Sequence, residues 1–147
     1  MSLDPTLYQQ RLEKRISLFS GRFMSDSKWV KLFTVLSNEF PLVKKCLIKD
    51  VMDSHLREME VPAIDKFLET FHNKGIKDVM SGGPSQFKSI ESIEFPAVWE
   101  VKRKMRTQVL DPIIYRQDIF QIKNILDAIG QLETFIDNDK LIVYGYR

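Results

Sequence analysis

Apolar residues recur every three or four positions in several parts of the chain, the spacing that places side chains on one face of a helix. Each stretch is bounded by proline, glycine or a residue that caps helices, which supports a helix in each case. The pattern predicts helices within residues 4–21, 25–41, 62–75, 96–112 and 118–130. In the first of these helices the apolar residues form a narrow face flanked by charged residues. This helix should therefore lie on the surface of the protein with only that face packed against it.

Other stretches favour strands, because apolar and polar residues alternate or β-branched residues cluster between turn signals. The strands predicted in this way are residues 42–49, 55–61, 132–136 and 141–146. The spacing over residues 87–95 fits either a helix or a strand, and we predict a strand because Ser89, Ser92 and Pro96 disfavour a helix. Residues 137–140 are rich in Asp and Asn, which favour a tight turn between the last two strands. We therefore predict an α+β fold with a small, mostly antiparallel sheet, helices packed on one face, and a C-terminal helix followed by a β-hairpin.

The length and composition predict a single domain over residues 1–147. Hydrophobic residues make up 44% of the chain and charged residues 29%, a balance typical of globular proteins. A chain of this length buries enough surface to fold without a disulfide or a metal ion. The composition of residues 81–85 (Ser-Gly-Gly-Pro-Ser) predicts a flexible connection, which we interpret as a surface loop of the domain, since two separate lobes would be small.

Charge and cysteine content narrow the functional classes. A formal net charge of +2 is too small to indicate nucleic acid or an anionic membrane by itself. The single cysteine, Cys46, cannot form an intrachain disulfide, which favours a reducing cytoplasm. No run approaches the roughly 20 apolar residues of a membrane helix, and the N-terminus lacks the apolar core of a signal peptide. We therefore expect a cytoplasmic protein that does not enter a membrane.

Residues that carry catalysis or bind metals do not form a recognisable motif. His55 and His72 are 17 positions apart and lack the spacing of metal ligands. Cys46 lies in an apolar predicted strand, where a buried, inert thiol is the ordinary interpretation. Glu58 and Glu60 share one face of a predicted strand and are the carboxylates considered for acid-base chemistry, although such pairs usually face solvent. The sequence therefore predicts no catalytic residue, metal ion or cofactor.

The strongest binding signal is a local concentration of positive charge. Four cations fall within five residues, shortly after a tryptophan, and form a patch suited to phosphates or acidic proteins. The predicted binding residues here are Trp99, Lys102, Arg103, Lys104 and Arg106. The alternative without a binding function is a solvent-exposed helix face, on which the aliphatic parts of the Lys and Arg side chains pack on the tryptophan ring.

Two tyrosines of the last predicted strand, Tyr144 and Tyr146, are further candidates for binding. One of them would face solvent if that strand forms an open edge of the sheet, where it could join a partner strand or a second copy. Trp29, in the first turn of the second helix, is expected to pack in the core.

Three short motifs together resemble an uncharacterised family of small bacterial proteins. They are Ser27-Lys28-Trp29 leading into Leu32-Phe33, then Phe87-Lys88-Ser89-Ile90-Glu91, and the closing Val143-Tyr144-Gly145-Tyr146. The resemblance covers well under half of the chain. It implies a bacterial cytoplasmic protein of unknown function and supplies no catalytic residues.

Three functional classes follow from these observations. The leading one is a non-enzymatic module that binds a protein partner, or a second copy of itself, through exposed aromatic and basic residues; bacterial immunity proteins offer an analogy. The second is a module that binds RNA or DNA through the basic patch, which the small net charge does not favour. The third is a small enzyme that uses carboxylates or Cys46.

Overall fold

A computed structural model gives the structure of the protein and describes residues 5–79 and 83–147. Within these residues the helices are α1 (Pro5–Ile16), α2 (Asp26–Asn38), α3 (Phe67–Thr70) and α4 (Ile119–Asp127). The strands are β1 (Cys46–Asp50), β2 (Leu56–Met59), β3 (Phe71–His72), β4 (Gly75–Val79), β5 (Gly83–Gln86), β6 (Ile90–Pro96), β7 (Val98–Met105), β8 (Gln108–Arg116), β9 (Thr134–Ile136) and β10 (Lys140–Tyr144). Residues Ile64–Lys66 and Phe87–Ser89 form 3-10 helices.

Five strands form the central antiparallel sheet, in the order β2-β1-β6-β10-β9. Side chains alternate between the two faces of a strand, so residues that pair across the strands collect on the same face. Ile93 of β6 lies opposite both Ile48 of β1 and Val143 of β10, and all three side chains are fully buried. Two smaller antiparallel sheets have the strand orders β3-β4-β5 and β7-β8.

Helices α2 and α4 cover the apolar face of the central sheet. Their inward residues, among them Leu32 and Leu36 of α2 and Ile122 and Leu126 of α4, belong to the same core as Ile93. The fold-class prediction is therefore confirmed, including the C-terminal helix that precedes a hairpin of the central sheet.

Local signals begin the two long core helices where the sequence predicts them. The Ser25 side chain accepts the backbone N–H of Lys28 and caps α2, and the Asp118 carboxylate accepts the backbone N–H of Gln121 and caps α4. The N-terminal helix α1 packs separately, through Leu12, onto Tyr146 near the C-terminus.

An aromatic cluster forms the centre of the core. The Phe33 ring of α2 stacks on Phe71 with 4.7 Å between ring centroids, and on Trp29 and Phe87 with 5.9 Å each. These four side chains are buried, so the prediction that Trp29 packs in the core is confirmed. The cluster joins α2 to β3 and to the segment that leads into β6, which ties the small three-stranded sheet to the main core.

The predicted helix over residues 62–75 is wrong. Only the short 3-10 turn and α3 are helical, and Phe71 begins a strand in which it pairs with Ile76 of β4. Gly75 does not cap a helix. It starts β4 and lies so close to the backbone carbonyl of Ser85 that a Cβ atom would overlap it. The contact of Phe71 with the distant Phe33 outweighs the local helical spacing.

The predicted helix between Pro96 and Pro112 is also wrong, because this segment folds into β7 and β8. Its apolar residues include Val and Ile, whose branched side chains favour strands. Arg106 adopts the left-handed conformation, with φ of 56°, in the turn between the strands. Pro112 is accommodated where the pairing register shifts, so no ladder hydrogen bond requires its missing N–H.

The remaining strand predictions are confirmed, with shifted ends. The first strand begins at Cys46, four residues later than predicted, and the strand predicted over residues 87–95 begins at Ile90. Of the predicted loop over residues 81–85, residues 81 and 82 lie outside the described part of the chain. Gly83 and the two residues after it belong to β5.

Replacing Phe33 by alanine tests the importance of the aromatic cluster. We expect Phe33→Ala to lower the free energy of unfolding by about 3–5 kcal/mol, because it removes a fully buried ring and leaves a cavity. Chemical denaturation followed by circular dichroism measures the change. Phe120→Ala is the control, since that ring on α4 is 54% exposed and its loss should change stability little. Equal effects of the two substitutions would contradict this view of the core.

Candidate interaction arm

Strands β7 and β8 form a two-stranded hairpin that we call the arm (Val98–Arg116). The two strands pair only with each other among the described residues. At about 3.3 Å per residue, the nine residues of β8 span roughly 30 Å. Most arm side chains are exposed and none is buried in the core. The arm therefore holds its shape without the apolar packing that stabilises the other strands.

The root of the arm is fixed by the side chain of Gln117, which directly follows β8. Its amide oxygen accepts the backbone N–H groups of Lys44 and Lys45, at 2.9 and 3.2 Å. Its amide nitrogen donates to the backbone carbonyls of Lys45 and Pro96, at 2.9 and 2.7 Å. The backbone N–H of Gln117 donates to Ala97 at 3.0 Å. The buried amide thus joins both ends of the arm to the segment before β1.

Aromatic side chains near Gln117 also stabilise the root of the arm. The Trp99 and Tyr115 rings stack across the two strands with 5.9 Å between centroids. The Lys45 ammonium lies 5.6 Å from the centroid of the Trp99 ring, within the range of a cation–π interaction. Trp99 is consequently half-buried, whereas Tyr115 on the neighbouring strand is exposed.

One side of the arm is mainly apolar, and we call it the apolar face. Paired residues lie on the same side of a sheet, so the strand register assigns each residue to a face. The apolar face carries Trp99, Val101, Arg103, Met105, Gln108, Leu110, Ile113 and Tyr115. Met105 is 61% exposed near the tip. Contiguous exposed apolar side chains of this kind mark interaction surfaces in soluble proteins.

The opposite side carries most of the positive charge, and we call it the cationic face. The register places Val98, Glu100, Lys102, Lys104, Val109, Ile114 and Arg116 on this side. Val109 is 79% exposed and Ile114 is 56% exposed, so apolar surface is present here as well. The arm contains five basic and two acidic residues, a net charge of +3, compared with +2 for the whole chain. The protein's excess positive charge is therefore concentrated on the arm.

The structure brings together five of the residues that the sequence predicts for binding. Trp99 lies at the root of the arm, Lys102, Arg103 and Lys104 lie along β7, and Arg106 forms the turn. The four cationic residues are exposed. They occupy a strand where the sequence analysis expected a helix, so they divide between two faces and the tip.

Tyr144 and Tyr146 do not join this surface. Strand β10 lies between β6 and β9, so the prediction that the last strand forms an open sheet edge is wrong. Tyr144 is half-buried, with the Arg147 guanidinium 4.7 Å from its ring centroid. Tyr146 is only 3% exposed; its ring stacks on Phe19 and its hydroxyl donates to the carbonyl of Lys88 at 2.8 Å. Its role is to dock the N-terminal segment.

Sequence reasoning missed the β8 half of the arm and its anchor. Ile114, Tyr115 and Gln117 follow Pro112, where the expected helix ended. The available signal was the run of β-branched and aromatic residues on both sides of Arg106-Thr107, which is typical of a hairpin.

A groove of about 460 Å³ beside the root of the arm contains the residues considered for catalysis. Cys46 lies at its floor with no exposed surface, whereas Glu58 and Glu60 on its rim are exposed. Burial, and secondarily the charge of Glu58, raise the pKa of the Cys46 thiol. The thiol is therefore protonated at neutral pH, which lowers its reactivity as a nucleophile.

A second pocket of about 440 Å³ has polar walls. Asp50 is buried there; one carboxylate oxygen lies 3.5 Å from Nη2 of Arg57, and the other accepts the backbone N–H of Met52 at 2.8 Å. Burial, and then the charge of Asp50, raise the pKa of the Tyr8 hydroxyl, so Tyr8 is neutral. Glu58 and Glu60 do not line this pocket, so the predicted carboxylates and the buried Asp50 lie at separate sites.

Neither histidine lines the groove that contains Cys46. His55 pairs with Asp53 at 3.0 Å, and His72 lies on β3, where its ring accepts the backbone N–H of Lys74. His72 therefore lies in a strand, and not near the end of the helix predicted over residues 62–75. Across residues 5–79 and 83–147, no three His, Cys, Asp or Glu side chains are grouped so as to hold a metal ion. The helices in this part of the chain are too short or too polar to cross a membrane.

Labelling of Cys46 with a thiol reagent tests its burial. We expect the native protein to react slowly at pH 7, and the protein unfolded in urea to react fully, because burial disfavours the reactive thiolate. Because burial raises the pKa of the Cys46 thiol, the free energy of unfolding also depends on pH. The stabilising contribution of the neutral thiol is fully present below the ordinary thiol pKa of 9.0 and is lost as the pH rises above that value. Rapid labelling of the native protein at pH 7 would show that Cys46 is accessible.

Removing the Gln117 amide tests the anchor of the arm. We expect Gln117→Ala to lower the free energy of unfolding by about 1–3 kcal/mol, since it leaves partly buried backbone N–H groups without their side-chain acceptor. Hydrogen exchange at the amides of Lys44 and Lys45 should also accelerate. Gln121→Ala provides the control, because that side chain is exposed on α4. If both variants keep wild-type stability and exchange rates, Gln117 is not the anchor.

Comparisons of the chain with protein-family models, with curated proteins and with solved structures find no match. The resemblance of the three short motifs to a bacterial family stays a prediction. In the structure, Trp29 and Phe87 of these motifs are core residues that contact Phe33, and Tyr146 is buried. These residues of the motifs therefore serve packing.

Proposed function

We propose that the protein is a non-enzymatic interaction module that binds an acidic protein partner through the arm. The observation that carries this proposal is the combination of exposed apolar side chains on both faces with a net charge of +3 in one unsupported hairpin. Two-stranded hairpins are only marginally stable in water by themselves. A partner that covers the arm would remove apolar surface from water and stabilise the strand pairing.

The dimensions of the arm indicate how the partner engages it. A two-stranded ribbon is about 10 Å wide, so each face of the arm offers roughly 300 Å². Stable protein interfaces bury about 800 Å² on each partner. Even the two faces together, at roughly 600 Å², fall short of this area, so the partner should contact both faces and an edge of the ribbon. The exposed Val109 and Ile114 on the cationic face agree with an enclosing partner.

The side-chain composition favours a protein over nucleic acid. A surface for nucleic acid consists mainly of cations and polar groups that contact phosphates. The arm places Met105, Val109 and Ile114 in solvent among its cations, and it also carries Glu100 and Asp111. Burial of these apolar side chains contributes to binding only where the partner offers apolar surface as well.

A capture experiment with matched arm variants tests the proposal. Immobilised full-length protein is exposed to a nuclease-treated lysate of the cells that encode it, beside Lys102→Glu/Lys104→Glu and Val101→Thr/Ile114→Thr. The threonine variant removes apolar surface but keeps β-branched residues. Lys14→Glu/Lys31→Glu changes the net charge equally at exposed helix positions and is the control. Proteins retained by the wild type and the control, but not by the arm variants, are identified and purified.

Calorimetry with each purified candidate then decides the outcome. We expect an acidic protein whose affinity falls at least about tenfold with either arm variant, and falls further between about 0.05 and 0.3 M salt for the wild type. The proposal fails if no retained protein distinguishes the arm variants from the control. It also fails if purified duplex DNA or RNA binds the arm and accounts for the retained material, or if the arm only joins two copies of the chain.

A further inference from the structure

We infer that the free edge of β7 receives an extended acidic segment of the partner as a third strand. This inference rests on the proposed function, because it specifies how the partner binds the arm. An extended segment that adds to a sheet edge gains main-chain hydrogen bonds, and its alternate side chains determine specificity. An added strand also supplies the additional contact area that one face of the arm lacks.

The two edges of the arm differ in their capacity to accept a strand. Between the pairs Val101–Ile113 and Arg103–Leu110, β7 advances two residues while β8 advances three. The extra residue therefore lies on β8 and interrupts its alternation. Pro112, in the same stretch, has no N–H to donate. The eight residues of β7 contain no proline, so β7 is the edge with a regular ladder of donors and acceptors.

The side chains of β7 specify the pattern of the added strand. On β7, Trp99, Val101, Arg103 and Met105 lie on the apolar face, and Val98, Glu100, Lys102 and Lys104 lie on the opposite face. Residues directly opposite each other in neighbouring strands have Cβ atoms about 5 Å apart, and opposite charges there are favourable. A complementary segment therefore places apolar residues beside the apolar face and acidic residues beside the two lysines. This pattern is an alternation of acidic and apolar residues.

The charge of the arm also selects against a second copy at this edge. Two arms that pair bring together two hairpins of net charge +3, whereas an acidic segment neutralises the same charge. Lysines on edge strands commonly prevent indiscriminate pairing in natural sheets. Lys102 and Lys104 therefore disfavour self-association and favour an acidic strand.

Synthetic peptides provide the test, with full-length protein as the binder. The probe is a capped peptide of eight residues, the length of β7, in which glutamate and valine alternate. A second peptide has the same residues without alternation, and a third has lysine in place of glutamate. Two more carry N-methyl groups, either on the glutamates or on the valines. Amide chemical shifts map the site, and their titration gives the affinity.

The backbone experiment has a specific expected result. Alternate N–H groups of a strand point to opposite sides, so only one set of peptide amides faces β7. We expect one N-methylated peptide to lose at least about tenfold in affinity while the other retains binding, with shifts concentrated in Val98–Met105. The peptide without alternation and the lysine peptide should bind at least about tenfold more weakly than the probe.

A charge exchange supplies an independent control. Lys102→Glu/Lys104→Glu should bind the lysine peptide in preference to the glutamate peptide, and Lys14→Glu/Lys31→Glu should keep the wild-type preference. Equal binding of the two N-methylated peptides, or of the alternating and non-alternating peptides, would overturn strand addition and leave only charge attraction. Dimerisation of the free protein through β7 would overturn it as well.

The two proposals can fail separately. If a purified acidic partner binds the arm but no peptide shifts the β7 amides, strand addition is wrong and the proposed function stands. If neither partner nor peptide depends on the arm, the proposed function fails and strand addition fails with it.

Discussion

The position of the arm depends on one buried amide, because the hairpin has no core of its own. Gln117 accepts from two backbone N–H groups before β1 and donates to two carbonyls, one of them that of Pro96, the last residue of β6. An amide side chain is suited to this position, since it presents donors and an acceptor together. A glutamate would meet the two carbonyls with negative charge, and an apolar residue would leave the N–H groups unpaired.

The arm and the rest of the protein are stabilised by different interactions. The central sheet and its helices are held by fully buried apolar residues such as Phe33 and Ile93, as expected for a domain of this size. The arm is held by strand pairing, the stacked Trp99 and Tyr115 rings, and the contacts at its root. Regions with few buried contacts open most easily in folded proteins. The arm can therefore adjust to a partner while the domain keeps its structure.

The elements that the sequence predicts correctly are those whose signals lie close together in the chain. The C-terminal helix and hairpin follow from local signals: Asp118 caps the helix, and residues 137–139 connect β9 to β10. The arm and the segment after Pro62 were missed because their helical spacing is incidental. Phe71 becomes part of a strand through packing on Phe33, which is distant in the sequence. Local preference is a weak guide where such contacts decide the structure.

The sequence predicts which residues belong to the candidate site but not how they are arranged in space. A cluster of cations after a tryptophan is visible in any secondary structure, so Trp99 and the four basic residues were found. Their division between two faces needs the strand register, which the sequence pattern does not supply. The same limit applies to the two tyrosines, since the strand order reveals that β10 is internal, and the packing of Tyr146 on Phe19 reveals that this tyrosine is buried.

The composition of β7 reconciles two demands that oppose each other. An exposed strand with Val101 and Met105 on one face risks indiscriminate pairing with other edges. Apolar surface is nevertheless required if a partner is to gain free energy by covering the arm. Lys102 and Lys104 satisfy both demands, because their charge repels other copies of the arm and attracts acidic segments. Under the proposed strand addition, the residues that protect the free protein would also determine which partner the edge accepts.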